Sequence, residues 1–405
     1  MEYITAGSVM KKLHIINLEK MGGVERLFLQ YINGNKDNND NVICISNSIG
    51  EEIKKQLPKT KITFANRIFN ALSLRCPQIF RKYLLQWKIE RTGADVIIVW
   101  DLVPGLISKP KRGKLIYYDH GCSWRYAKNK KTLNFFSMLD GIIAVSHASK
   151  RVMELRFNLK CNVDVVLNRI QTPSGIDTSP RLLSQCVKLG TASRLVSLKG
   201  ISVMLLTLQE LINRGHNVML EIAGKGPDQV TFEELASKLN LEKKVIFSGF
   251  QDNTKDFFNR IDIYLSTPVT EPFGLSSMEA LYFSVPVVFP LIDGQPEAIR
   301  DEYCGIGVKP SVSIEEHKKL SGVSIDFPHK VYDPVNDFLI EPQVLSHKAC
   351  ADAVERLLFQ ESYAKFSANA QRYTSENFDY NDFMSEFNTK LSYYVKNELS
   401  DRSIN

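Results

Sequence analysis

Short β-rich runs alternate with amphipathic stretches along most of the chain. Runs at 13–17, 41–46, 61–65, 95–100, 114–119, 141–145 and 162–167 are predicted strands, and the segments between them have helix-like spacing. That alternation is expected of a parallel sheet with crossover helices. Strands as continuously apolar as Val96-Ile97-Ile98-Val99 predict a sheet covered on both faces. A polar stretch without periodicity comes next, and a second alternation starts beyond it. Its predicted strands are 187–192, 217–223, 244–248, 261–265 and 286–289, with helices near 200–213, 229–240, 253–260 and 275–283. The predicted fold class is α/β: two doubly wound, Rossmann-like domains, with a ligand cleft between the carboxyl ends of their strands. The domains are predicted at 10–170 and 182–378, with a linker at 171–181 and a terminal segment at 379–405. Residues 309–343 break the rhythm and read as a surface insertion. Helices are expected near 345–358, 361–375 and 381–398. The nine residues before Met10 lack the alternating pattern of the rest of the chain and read as a frayed extension or a misassigned start.

Composition narrows the class. The 405 residues exceed what one hydrophobic core ordinarily supports, so two domains are expected from length as well. A 44% hydrophobic and 24% charged composition excludes collagen-like and largely disordered chains. No apolar run approaches the roughly 18 to 20 residues that span a bilayer, and no signal-peptide core opens the chain. Seven scattered cysteines without a C-x-x-C spacing indicate neither a disulfide framework nor a zinc site, so a cytoplasmic location is expected. The net charge of +6 is unevenly spread: residues 1–170 carry 28 Lys/Arg against 14 Asp/Glu, and the remainder 23 against 31. The basic half is suited to an anionic surface, although solvated lysines explain the same numbers.

Chemistry is concentrated in Glu271-Pro272-Phe273-Gly274-Leu275-Ser276-Ser277-Met278-Glu279-Ala280-Leu281. Pro272 disfavours helix at Glu271, and Gly274 permits an unusual backbone before a helix starting near Leu275. Glu271 therefore falls in a loop and Glu279 about one turn into the helix, both able to face a ligand at its N-terminus. Paired carboxylates suit the hydroxyls of a polyol, but two glutamates at this spacing are also common on a solvated helix face. Gly22-Gly23 follow the first strand and precede a helix, where backbone can approach a phosphate or sugar or can simply turn. His120 ends the 114–119 strand, on the side where α/β folds bind ligands. Gly224-Lys225-Gly226 is not a dinucleotide fingerprint, because Gln229 stands where its third glycine belongs.

The E-P-F-G-L-x-x-x-E-A-L run resembles the E-x7-E signature of retaining glycosyltransferases of the GT-B fold, family 4 (glycosyltransferase group 1). The resemblance continues through Ser193-Arg194-Leu195, Lys199-Gly200, Ile222-Ala223-Gly224-Lys225-Gly226-Pro227, Val245-Ile246-Phe247-Ser248-Gly249 and Asp293-Gly294-Gln295-Pro296-Glu297. It is thinner in the first half, at Gly22-Gly23-Val24-Glu25-Arg26, His120-Gly121, Val145-Ser146 and Val166-Leu167-Asn168. It implies that Arg194 and Lys199 bind the diphosphate of a UDP-, GDP- or ADP-sugar, a role that suits a guanidinium fork and a mobile ammonium. It further implies that Glu271 contacts the sugar, Glu279 the ribose, and the amides of Phe273, Gly274 and Leu275 sugar or phosphate oxygens. The loop at Gly249 would lie near the base, and His120 would touch the transferred sugar. Fixed cations in place of a metal fit the absence of any D-x-D triplet, so neither metal nor other cofactor is expected. The terminal helix is expected to cross back to the first domain.

Residues 75–91 mix Arg75, Arg81, Lys82, Lys88 and Arg91 with Phe80, Tyr83, Leu84, Leu85 and Trp87. This is the composition of an interfacial membrane helix, and equally of a core-packed helix with a basic edge. In the first case the acceptor is a lipid-linked glycan, as in lipopolysaccharide, O-antigen, capsule or exopolysaccharide assembly, and the enzyme sits on the inner face of the membrane. Two other classes stay open: a sugar-nucleotide epimerase or hydrolase of the same fold, and a non-catalytic nucleotide-sugar-binding protein. No nucleic-acid-binding module is recognisable.

Overall fold

The structure is a computed structural model that describes residues 10–401 other than 36–39, 58–60, 70–73, 174–175, 177–180 and 252, without the side chains of 122 and 397–401. The predicted N-terminal extension and much of the predicted linker lie outside the described residues. The chain divides into two compact units, Met1–Asn168 with Asn381–Asn405, and Arg169–Tyr380.

The first unit is built on seven parallel strands: β1 Lys12–Ile16, β2 Asn41–Cys44, β3 Ile62–Phe64, β4 Val96–Trp100, β5 Lys114–Asp119, β6 Gly141–Ala144 and β7 Val163–Val165. Their order is β3-β2-β1-β4-β5-β6-β7, with Ile15 registered against both Ile43 and Val99. The central strands are buried along their length, as continuous apolar runs require when helices cover both faces. Local sequence starts two of the helices: Asn129 caps Lys130–Ser137 by accepting from the Thr132 amide at 3.0 Å, and Ser146 caps His147–Arg156 by accepting from the Ser149 amide at 3.0 Å. The terminal helix Tyr380–Asp401 packs on this unit. Its Phe387 meets Tyr31, Trp100 and Tyr118, and its Tyr394 donates to Asp164 at 2.6 Å. Gly141 is required there, because any Cβ would run into the Tyr394 ring.

The second unit has six parallel strands: β8 Val187–Ala192, β9 Val218–Ala223, β10 Val245–Gly249, β11 Ile263–Leu265, β12 Val287–Pro290 and β13 Gly305–Val308, in the order β10-β9-β8-β11-β12-β13. β13 escaped the sequence reading because Gly-Ile-Gly-Val lacks a β-rich run; Gly305 and Gly307 are small because side chains of Ile299 and Leu291 lie over them.

The segment 309–343, to which the sequence pattern assigns no elements, is ordered into elements of its own. It forms helix Ile314–Ser321, an antiparallel hairpin of Val331–Asp333 with Phe338–Ile340, and a short pairing of Val312–Ser313 with Gln343–Val344. Val323, Val331 and Val344 are buried, and His317 hydrogen-bonds Ser202 at 2.7 Å. The basic segment also needs correction. A 3-10 turn at Gln78–Phe80 precedes helix Arg81–Thr92, and Lys88 faces inward, its ammonium donating to the carbonyls of Phe64 at 2.6 Å and Arg67 at 2.5 Å. Lys88 ties the helix to β3 and contributes nothing to a basic face.

Candidate functional site

In each sheet the strand order reverses between two neighbours, β1 and β4 in the first unit and β8 and β11 in the second. Chain leaving such neighbours in opposite directions opens a crevice at their carboxyl ends, the usual ligand position in open α/β sheets.

In the second unit the loop after β8 carries Arg194 and Lys199, and the loop after β11 carries Glu271. The two loops are bonded to each other: the Val269 amide donates to the Leu198 carbonyl at 2.9 Å, and the Thr267 hydroxyl to the Gly200 carbonyl at 2.9 Å. Gly200, at φ 70°, is pressed so closely against the Thr267 carbonyl that no Cβ fits. This seam brings Lys199 and Glu271 together as a hydrogen-bonded ion pair at 2.5 Å, with side chains 31% and 18% exposed. Arg194 is exposed, and its guanidinium has no partner among the described residues. Its loop is nevertheless fixed. Leu195 and Lys225 share a backbone bond at 3.0 Å, and Asp228 accepts from the Ser197 amide at 2.7 Å. Gly224 and Gly226 lie against the carbonyls of Ser193 and Leu195, which leaves no room for side chains. These glycines thus serve loop-to-loop packing. Gly249 ends β10 at φ 70° and its carbonyl accepts from the Gly224 amide at 2.7 Å.

Helix Leu275–Tyr282 starts from Gly274, which is left-handed at φ 99°; a Cβ there would come within 2.7 Å of Gln295 Nε2. Phe273 turns its ring into the core against Phe378, so only its backbone is available to a ligand. The amides of Phe273, Gly274 and Leu275 donate to no described residue, leaving a row of donors at the helix start. Glu279 is 2% exposed, and its Oε1 accepts from the Thr254 hydroxyl. Sequence reasoning gives neither Thr254 nor Asp293 a role in the site, because neither residue carries a chemical signal of its own. Asp293 braces Glu271: its Oδ2 accepts from the Glu271 amide at 3.0 Å and the Thr270 hydroxyl at 2.7 Å.

In the first unit Gly22 is the N-cap of helix Gly23–Gly34. The Glu25 carboxylate folds back over that end, close enough that a Cβ on Gly22 would lie 2.8 Å from Glu25 Oε2. The geometry is the returning half of a capping box. The helix end expected to be open to a phosphate thus already holds a carboxyl group, which burial, with the nearby Asp101 charge, pushes up to about 7. Trp100, Asp101 and His120 are brought together at the ends of β4 and β5. The His120 ring stacks on Trp100 at 5.6 Å, and its amide donates to Asp101 Oδ1 at 2.8 Å. Its Nε2 has no hydrogen-bond partner among the described residues. Burial pushes this imidazole down to about 4, so it is neutral near pH 7 and able to exchange hydrogen bonds with a hydroxyl. Asp119, buried between the Tyr117 and Ser123 hydroxyls, is pushed up to about 7 by burial and by Asp101.

The family model for Glycosyl transferases group 1 matches residues 186–321, and the model for Glycosyltransferase Family 4 matches residues 21–173. An uncharacterized glycosyltransferase of Methanocaldococcus jannaschii is 35% identical over 119 residues, 29% of this chain and 30% of that protein. The match thus spans less than a third of that relative's length. Lipopolysaccharide core biosynthesis glycosyltransferase LpsD of Rhizobium meliloti is 22% identical over 296 residues, 70% of this chain and 79% of that protein. Among solved structures, Anabaena HepE in complex with UDP and glucose has a TM-score of 0.72 at 18% identity, over 95% of this chain and 100% of that one. The fold is therefore GT-B, with two Rossmann-like α/β units.

Proposed function

The chain belongs to the group 1, family 4 glycosyltransferases, and on that premise we propose that it moves a sugar from a nucleotide-diphosphate sugar to a glycan or glycolipid with retention of anomeric configuration and without a metal. The observation that carries this reading is the meeting of Lys199 with Glu271 at the switch point of the second sheet, with Arg194 on the loop that carries Lys199 and open amides at the start of the helix that carries Glu279. A cation next to a carboxylate is suited to the junction between a diphosphate and a sugar: Lys199 and Arg194 take the phosphate oxygens, and Glu271 accepts from sugar hydroxyls. Glu279 accepts from the ribose diol, held by Thr254. In the first unit, neutral His120 is suited to exchange a hydrogen bond with a hydroxyl through Nε2.

In the proposed step the bond from the sugar's anomeric carbon to the diphosphate oxygen breaks and a bond to the acceptor oxygen forms on the same face. The acceptor's proton passes to the departing phosphate oxygen, whose growing charge the two cations stabilise. No protein nucleophile is needed. Incubating the protein with a nucleotide sugar, with and without an acceptor, and assigning the product anomer by NMR tests the reading. Sugar release that ignores the acceptor points to a hydrolase, and an inverted linkage refutes retention.

The acceptor we propose is lipid-linked, as in assembly of lipopolysaccharide or a related surface polysaccharide. Its support is the outward face of helix Arg81–Thr92 and the turn before it: Ile79, Phe80, Tyr83 and Trp87 are 71%, 55%, 54% and 52% exposed. Lys82 lies over Tyr83 at 5.2 Å and Arg91 over Trp87 at 5.2 Å, so cations and aromatic rings share this face. Rings at the headgroup level flanked by cations match an anionic lipid surface. No helix among the described residues is long and apolar enough to cross a membrane.

A further inference from the structure

The backbone at Asp293 is left-handed, at φ 49°. Glycine adopts that conformation freely, whereas a side chain there is strained, and aspartate is among the few that tolerate it. The side chain is also wholly buried. A strained backbone and a buried carboxylate are both unfavourable unless the group is held by donors, and Asp293 is. Oδ2 accepts from the Glu271 amide and the Thr270 hydroxyl, while Oδ1 accepts from the Tyr332 amide at 2.8 Å. The backbone repeats the link, the Asp293 amide donating to the Tyr332 carbonyl at 2.9 Å and the Gly294 amide to the Glu271 carbonyl at 3.2 Å. Tyr332 is the central residue of hairpin strand Val331–Asp333, which pairs with Phe338–Ile340.

We propose that Asp293 is a positioning residue for Glu271, clamping the loop that carries this glutamate to the hairpin within 309–343, so that the hairpin sets where the carboxylate meets the donor sugar. The proposal rests on the transferase reading for its consequence, though not for its geometry. Pro272 follows Glu271 and contributes no backbone donor of its own; Val269 and Thr267 bond the loop to the Leu198 and Gly200 carbonyls on one side, and Thr270, Glu271 and Gly294 tie it to the Asp293 segment on the other. Only a group with two acceptor oxygens can serve both sides. Asparagine keeps the size and tolerates the backbone, but turns an NH2 toward donors on one side.

The test compares Asp293→Asn and Asp293→Gly, each alone and combined with Glu271→Gln. Asp293→Gly relaxes the backbone, so it keeps the test alive if Asp293→Asn folds poorly. Expected for the single variants is a kcat about a hundredfold lower, the usual consequence of misplacing a contact group by about 1 Å. The Kd for free UDP, which reports the phosphate and ribose contacts, stays within a factor of about two. Added to Glu271→Gln, either change causes no further loss, because the residue acts through Glu271. Multiplying losses in the double variants, or UDP affinity falling in step with turnover, overturns the proposal. Hydrogen exchange of the Glu271 amide decides it without turnover: faster exchange in Asp293→Asn supports the clamp, and unchanged exchange refutes it. Failure of the wild type to transfer from UDP-, GDP- and ADP-sugars alike refutes the transferase reading instead.

Discussion

Replacing Glu271 by glutamine is expected to change nucleotide binding and turnover in opposite directions. In the free protein the Lys199 ammonium is held by Glu271 at 2.5 Å. A phosphate oxygen taken up by another N–H of the same tetrahedral ammonium at about 2.8 Å would sit about 4.3 Å from the carboxylate oxygen. Two unit charges at that separation repel by about 1 kcal/mol in water and about 4 kcal/mol at an effective dielectric of 20. Both side chains are partly exposed, which puts the repulsion nearer the lower figure, at about 1 to 1.5 kcal/mol. Glu271→Gln removes that repulsion and releases Lys199, so free UDP is expected to bind about tenfold more tightly. The gain should shrink as salt is raised. Transfer should fall, because the amide accepts more weakly from the sugar hydroxyls than a charged carboxylate. Isothermal titration calorimetry with UDP, GDP and ADP at two ionic strengths, beside a transfer assay, reads both quantities. Unchanged or weaker affinity for all three nucleotides would sink the assignment of Lys199 to the diphosphate.

Arg194→Ala should lower kcat/KM by about two orders of magnitude, as loss of a transition-state cation does, while leaving the melting temperature unchanged, since the guanidinium holds no described partner. Glu279→Gln should weaken nucleoside diphosphate binding about tenfold through loss of charge-assisted bonds to the ribose, and Thr254→Ala should weaken it in the same direction; calorimetry checks both. Lys88→Met should destabilise the fold by about 2 to 4 kcal/mol by stranding two carbonyls without changing vesicle binding, whereas Trp87→Ser with Lys82→Glu should reduce pelleting with anionic vesicles and leave the melting temperature unchanged. Equal pelleting of the wild type with neutral and anionic vesicles would refute docking by charge. His317 is pushed down to about 4 from 6.5 by burial, helped by His347, so the unfolded chain takes up its proton first as pH falls. Its share of stability is present above about 6.5 and is lost progressively toward pH 4. Thermal melts at pH 7 and pH 5 should therefore separate less in His317→Gln than in the wild type.

The parallel-sheet architecture was legible because its strands are buried on both faces, and burial writes itself as unbroken apolar runs such as Val96 to Val99. The site was legible where chemistry constrains adjacent residues, as in Glu271 through Glu279. It was obscure where a function is made by chain segments far apart. Nothing in Tyr332 or its neighbours signals that its backbone amide holds the carboxylate that holds Glu271. Lys88 misled because its composition matches a surface cation, and only the carbonyls of Phe64 and Arg67 reveal an internal strut. The Gly22-Gly23 turn was visible, but not that Glu25 folds back over it, since a capping carboxylate and a solvated one look alike in sequence.

The interleaving of the units has a consequence for synthesis. The segment Arg169–Tyr380 is continuous, so it has all its own residues once it leaves the ribosome. The segment before it lacks Phe387 and Tyr394, and until they emerge Trp100 and Tyr118 are without one aromatic neighbour while Gly141 faces the empty place of a ring. The part of the protein made first is therefore the last to be finished. A released chain ending at residue 380 should carry a mature second unit and a first unit open to chaperones and proteases.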